Sequence, residues 1–88
     1  MKISFDRKAD AAYTKLSEEK VDFTASLVGH QVLVDISKDS RVVGIQFLAV
    51  SQRGLQVDEV IKTYGSWMTT FDAFLLRNLS VVEGWEMK

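Results

Sequence analysis

Apolar and polar residues alternate along most of the amino-terminal half of this chain, and the alternation changes to a helical period in the carboxyl-terminal third. Alternation with a period of two is typical of strands in a sheet that buries one face. The segments that show it are residues 1–6, 11–17, 21–27, 31–36 and 41–50. We therefore predict an antiparallel sheet of four or five strands, arranged as a meander.

After the predicted sheet, apolar residues recur at helical spacing from Val57 to Tyr64, which predicts a short helix with one apolar stripe. Ser66 is suited to cap the amino terminus of a second short helix that ends near Asn78. Together these patterns predict an α+β protein in which two short carboxyl-terminal helices cover one face of the sheet.

The length of 88 residues allows one domain, with the sheet in residues 1–50 and a helical extension in residues 51–88. Eleven basic and twelve acidic residues are spread without a basic cluster, so we expect no direct nucleic-acid binding. No run approaches the ~20 apolar residues that span a bilayer. The chain has no cysteine, which excludes thiol chemistry and fits a reducing compartment. The amino terminus lacks the apolar run of a signal peptide, so we expect a soluble, cytoplasmic protein.

Several short motifs carry a family resemblance, namely Met1–Asp6, Ala9-Asp10-Ala11 with Tyr13, Val32–Asp35 and Arg41–Ile45. They resemble the bacterial and phage "domain of unknown function 2283" family over about residues 1–53, and the spaced Asp6, Asp10, Asp35 and Gly44 are the more specific part. The family has no established activity. Some of its members lie beside small toxin genes, so the resemblance implies an antitoxin-like or partner-binding role for an uncharacterised bacterial or phage protein.

Four residues, Asp6, Asp10, Ser40 and Gly44, are predicted to have structural roles in turns. The carboxylates of Asp6 and Asp10 are expected to accept hydrogen bonds from backbone N–H groups. Gly44 interrupts a predicted strand, which indicates a bulge, a strong twist or the close approach of another backbone. Ser40 lies in a turn where the family usually has glycine. If the backbone there is left-handed, serine costs on the order of 1 kcal/mol.

A small metal-binding protein or enzyme built on Asp6, Asp10 and His30 is the alternative in a different functional class. Paired carboxylates suit a divalent cation, and a lone histidine can act as a general base. Arg41 and Arg53 could bind a phosphate or carboxylate. We favour turn and surface roles for these side chains. No loop of the sequence supplies the dense set of oxygen ligands that calcium needs, and no nucleophile motif accompanies His30. We expect no catalytic residue, metal or cofactor.

Aromatic and long apolar side chains are concentrated in the carboxyl-terminal third of the chain. Such residues are enriched at the centres of protein interfaces, although they also suit ordinary packing of a helix on a sheet. Because two short helices cannot cover both faces of a sheet, we expect a non-enzymatic interaction module that forms a homodimer or binds a small partner protein. A phage-encoded inhibitor of a host protein is the alternative. The predicted interface residues are Trp67, Met68, Phe71, Phe74, Leu75 and Trp85.

Overall fold

The computed structural model describes residues 2–78 of the chain. Five strands form one antiparallel sheet, and short helices follow it, which confirms the predicted α+β class. The strands are β1 (Lys2–Asp6), β2 (Ala11–Lys15), β3 (Phe23–Leu27), β4 (Val32–Ile36) and β5 (Val42–Phe47). The helices are α1 (Val50–Arg53), α2 (Val57–Tyr64) and α3 (Thr70–Arg77), and a 3₁₀ turn at Gly65–Trp67 separates α2 from α3.

The strand order across the sheet is β1-β2-β5-β4-β3. Strands β3, β4 and β5 follow one another as a meander, and the β1–β2 hairpin joins this unit by pairing β2 with β5. The segment between β2 and β3 therefore crosses from one half of the sheet to the other. Strand β5 lies in the centre, and β1 and β3 form the two edges.

The two faces of the sheet differ sharply in polarity. One face is buried beneath the helices, and its core includes Val34 paired with Ile45, together with Leu76 from α3. Val57 and Val60 of α2 belong to the same core. The opposite face, called here the polar face, carries the alternate residues of the same strands: Ser4, Tyr13, Gln46, Leu33, Asp35, Thr24 and Ser26. One side of the sheet thus supplies the hydrophobic core, as the alternation predicted.

A bulge interrupts the pairing of β4 with β5. Ile36 pairs with Val42 while Asp35 pairs with Gly44, so Val43 is an extra residue in β5. The extra residue shifts the alternation by one position. As a result Val42 is buried in the core, although strict alternation would place it on the polar face.

The helical region differs from its prediction at two places. The second predicted helix does not begin after Ser66, because that residue lies in the 3₁₀ turn. Thr69 caps α3 instead, and its Oγ1 accepts a hydrogen bond of 2.9 Å from the backbone N–H of Asp72. The short helix α1 was not predicted, since four residues are too few for a periodic signal. None of the helices within residues 2–78 is long and apolar enough to cross a membrane.

Candidate functional site

Asp6 organises the turn between β1 and β2. Its Oδ1 accepts hydrogen bonds from the backbone N–H groups of Lys8, at 3.0 Å, and Ala9, at 3.3 Å. This is the bonding pattern of an Asx-turn, in which a carboxylate satisfies amides that the strand ladder leaves free. The carboxylate of Asp6 is thus engaged in local turn chemistry.

Asp10 connects the same turn to α1. Its carboxylate accepts hydrogen bonds from the backbone N–H of Ser51, at 3.0 Å, and from Ser51 Oγ, at 2.6 Å, while its carbonyl oxygen accepts from the N–H of Val50 at 3.0 Å. The residue that precedes α1, Ala49, provides no side-chain cap. Asp10 therefore caps α1 from a distant part of the chain, a role that the sequence analysis missed because the partners are 41 residues apart.

A line of hydrogen-bonded side chains crosses the polar face through Tyr13, Asp35 and Thr24. Tyr13 Oη donates to Asp35 Oδ2 at 2.8 Å, and Thr24 Oγ1 donates to Asp35 Oδ1 at 2.7 Å. The three residues belong to β2, β4 and β3, so the network spans the sheet from its centre to one edge. Both oxygens of the carboxylate are thereby used.

Gly44 lies in β5 directly beneath the Tyr13 ring. A Cβ added at Gly44 would overlap Tyr13 Oη and would lie 2.5 Å from Cζ of the same ring. The backbone of Gly44 does not have the positive φ that favours glycine, which among the glycines of the described region is found at Gly29 and Gly54. Glycine is therefore required here by the ring above it and not by the backbone conformation.

The environment of Tyr13 raises the pKa of its hydroxyl from 10.0 to about 12. Burial of the ring is the largest cause, because it disfavours the charged phenolate. The hydrogen bond to Asp35 and the negative charge of that carboxylate raise the pKa further. The hydroxyl is thus held in its neutral form, which is the form that donates the hydrogen bond to Asp35.

Two of the predicted interface residues are highly exposed. Phe71 retains 67% and Phe74 retains 58% of its accessible surface, since α3 directs Ala73 and Leu76 to the core instead. We refer to Phe71 and Phe74 together as the aromatic face of α3. Their separation by three residues places them next to each other along one side of the helix.

The other predicted interface residues have different surroundings. Trp67 and Met68 are half-buried and pack against the core, and the Trp67 ring meets the Tyr64 ring edge-on with centroids 5.2 Å apart. Leu75 is half-buried. Trp85 lies outside the described residues. The exposed part of the predicted interface within residues 2–78 is therefore the aromatic face of α3.

The amino-terminal part of the chain matches a known protein family. The model of the family described as "Protein of unknown function (DUF2283)" matches residues 2–51, which is more than half of the chain. The protein belongs to the DUF2283 family. No curated protein and no solved structure matches the chain.

The DUF2283 region coincides with the sheet and the start of α1. It includes the whole Tyr13–Asp35–Thr24 network, and it ends at Ser51, the residue that the Asp10 carboxylate binds. Helices α2 and α3 follow the matched region. The aromatic face of α3 therefore lies outside the part of the chain that the family model matches.

The residues of the alternative metal or enzyme site are not assembled by the fold. Asp6 and Asp10 direct their carboxylates to different backbone amides, and His30 is exposed in the turn between β3 and β4. Within residues 2–78, no group of three or more His, Asp and Glu side chains is placed to hold a metal ion. Arg41 and Arg53, which bracket β5, are both exposed.

Proposed function

We propose that this DUF2283 protein is a small, non-enzymatic protein-interaction module of the cytoplasm. Its partner is a protein with an apolar surface, and the contact is made by the aromatic face of α3. The observation that carries the proposal is the exposure of Phe71 and Phe74, which together present a connected apolar surface on one helix. An antitoxin-like or regulatory protein would act through such a contact.

The helix that presents these rings is held at both ends. Thr69 caps its amino terminus, and at its carboxyl terminus Asn78 Nδ2 donates a hydrogen bond of 2.8 Å to the carbonyl oxygen of Phe74. Leu76 anchors the opposite side of the helix in the core. Because the helix is fixed before binding, little conformational entropy is lost when a partner covers the rings, which favours affinity.

The exposed rings also carry enough apolar surface to matter energetically. Complete burial of a phenylalanine side chain contributes about 1.5–3 kcal/mol relative to full exposure. Phe71 and Phe74 retain 67% and 58% of their surface, so covering both would contribute about 2–4 kcal/mol. That is a typical contribution for the central residues of a protein interface.

The test compares capture of partner proteins from extracts of the source cells by three tagged baits. The wild type is compared with a Phe71→Ser/Phe74→Ser variant and with a Val21→Ser/Phe23→Ser variant, which removes an exposed apolar pair at the edge of the sheet formed by β3. We expect a protein that the wild type and the edge variant retain and the α3 variant loses. With purified components, the dissociation constant for the α3 variant should rise at least about tenfold.

Two results would contradict the proposal. One is that no bound protein depends on Phe71 and Phe74. The other is a thermal midpoint for the α3 variant that falls by much more than the few degrees that a surface substitution causes, since this would show that the rings stabilise the fold itself.

A further inference from the structure

The two edges of the sheet are protected against pairing to different degrees. Strand β1 has charged residues at both ends, Lys2 and Asp6. Strand β3 contains no charged residue, and its pairing with β4 runs without a bulge from Phe23 to Leu27. The chain also has no proline. Charges, prolines and bulges are the usual features that prevent an edge strand from pairing with another chain, and β3 has none of them.

The edge at β3 also exposes apolar surface. Val21 retains 42% and Phe23 retains 48% of its accessible surface. Phe23 pairs with Ile36, a core residue, so its side chain lies on the helix-bearing side of the sheet. A helix or strand that covers this position is not found among residues 2–78. The ring is thus left at the boundary of the core.

The sequence of β3 is chemically symmetric about its central residue. It reads Phe23-Thr24-Ala25-Ser26-Leu27, with a large apolar residue at each end and a hydroxyl residue on each side of Ala25. In an antiparallel pair of two identical strands centred on Ala25, each Phe23 lies opposite a Leu27 and each Thr24 lies opposite a Ser26. Matched apolar pairs and matched hydroxyl pairs are the combinations that stabilise neighbouring strands.

Other centres match less well. Pairing centred on Ser26 would place Phe23 opposite Gly29, and pairing centred on Thr24 would place Asp22 opposite Ser26 and Phe23 opposite Ala25. The Ala25 register is the one of these three that places Phe23 of each copy opposite Leu27 of the other, on the helix-bearing side. Because β3 is uncharged, no like charges come into opposition within the paired strands.

We propose that a second copy of this chain pairs its β3 with the β3 of the first, antiparallel and centred on Ala25, so that one sheet runs through both copies. The contact is isologous, and its two-fold axis passes between the two Ala25 residues perpendicular to the sheet. The helices of both copies lie on the same side, and each Phe23 gains a Leu27 neighbour. The contact uses a surface other than the aromatic face of α3 and does not depend on the proposed function.

The first test uses a single introduced cysteine, since the chain has none of its own. In the proposed register Ala25 faces its own copy across the axis, where opposite Cβ atoms lie about 4.5–5.5 Å apart, close to disulfide geometry. Ala25→Cys should therefore form a cross-linked dimer under mild oxidation. The matched control is Ser4→Cys, in the middle of the other edge strand, which should remain monomeric on a denaturing gel. Equal cross-linking of the two variants would overturn the proposal.

The second test measures mass by sedimentation equilibrium. The wild type should sediment as a dimer, and Val21→Ser/Phe23→Ser should raise the dimer dissociation constant at least about tenfold while keeping a folded circular-dichroism spectrum. Phe71→Ser/Phe74→Ser should leave the dimer intact, so failure of this inference is distinguishable from failure of the proposed function. A monomeric wild type, or a dimer that the β3 substitutions do not weaken, would overturn the proposal.

Discussion

Replacing Gly44 by alanine should destabilise the protein through one contact, the overlap of the new methyl group with the Tyr13 ring. The methyl carbon would lie 2.5 Å from Tyr13 Cζ, whereas carbon atoms pack at about 3.5–4.0 Å, so the ring must move by about 1 Å or more. That movement breaks the bond of 2.8 Å between Tyr13 Oη and Asp35, which contributes about 1 kcal/mol.

Two further contributions determine the loss of stability that we expect for Gly44→Ala. Displacing packed atoms costs about 1–3 kcal/mol, while alanine gains about 0.5–1 kcal/mol over glycine inside a strand. The net loss for Gly44→Ala is about 2 kcal/mol. For a domain of this size, that corresponds to a fall in thermal midpoint of roughly 8–16 °C.

A double-mutant cycle isolates the contact. In a Tyr13→Ala background the ring is absent, and the backbone of Gly44 suits any residue, so Gly44→Ala should be neutral or stabilise by up to about 1 kcal/mol. The coupling free energy between the two sites should be about 2–3 kcal/mol. In a Tyr13→Phe background, which keeps the ring, Gly44→Ala should still destabilise.

The assay is urea unfolding followed by circular dichroism, with the free energy extrapolated to zero denaturant. If Gly44→Ala costs the same with and without the Tyr13 ring, the glycine is required for a different reason and the reasoning is wrong. The dependence of the unfolding free energy on urea concentration should be the same for the four proteins of the cycle. The differences in free energy then arise in the folded state and not in the unfolded state.

Four further predictions concern the hydroxyl of Tyr13, the backbone of Ser40, the buried hydroxyl of Thr14 and the carboxylate of Asp10. The pKa of Tyr13 in the folded protein is about 12, above its ordinary value of 10.0. The stability that its neutral hydroxyl contributes is therefore fully present below pH 10 and is lost as the pH rises through 12. In a Tyr64→Phe variant, in which Tyr13 is the remaining tyrosine, the absorbance of tyrosinate should show this late titration. Ser40→Gly should stabilise by about 0.5–1 kcal/mol in urea unfolding, because Ser40 has a φ of 60°. Thr14→Val should raise the thermal midpoint. Thr14 Oγ1 is buried without a hydrogen-bond partner among the described residues, and burying such a group costs about 1–3 kcal/mol. A lower thermal midpoint would indicate that the hydroxyl is hydrogen-bonded to water. Asp10→Ala should cost about 2–3 kcal/mol, because it removes the α1 cap and places alanine at a φ of 51°. Asp10→Asn should restore much of this loss, and equal losses for the two variants would exclude a capping role.

The alternation of apolar and polar residues was sufficient to predict the sheet and the face of it that is buried. Period-two alternation places Val32, Val34 and Ile36 on one side of β4, and the structure buries all three. The stripe that begins at Val57 and Val60 likewise predicted α2 and its contact with the core. Such patterns are local consequences of burying one face, so they can be read without knowing which strands are neighbours.

Features that depend on distant partners could not be read in this way. The pairing of Tyr13 with Gly44 and Asp35 requires the strand order, and the pairing of Asp10 with Ser51 requires the position of α1. A pattern along the chain does not contain this information. Gly44 is an example. The sequence indicated a bulge, a strong twist or the close approach of another backbone at this glycine, whereas the structure has a bulge at the neighbouring Val43 and the Tyr13 ring, not a backbone, against Gly44.

The side of α3 on which Phe71 and Phe74 lie could not be predicted from the sequence, for another reason. Spacing grouped Phe71 and Phe74 with Trp67 and Met68, but the 3₁₀ turn changes the rotation per residue between the two pairs. The pair at Trp67 and Met68 contacts the core, and the pair on α3 does not. A turn of this kind leaves no periodic signal in the sequence.

The central position of β5 also determines the order in which the molecule can be completed on the ribosome. Strands β1 and β2 can close as one hairpin and β3 and β4 as another while the chain is still being translated, but no strand pairing connects the two hairpins until Val42–Phe47 has emerged from the exit tunnel. Isolated hairpins are marginally stable in water. A nascent chain that stalls before β5 therefore holds two separate and exposed halves, and one short strand, made late, converts them into a domain.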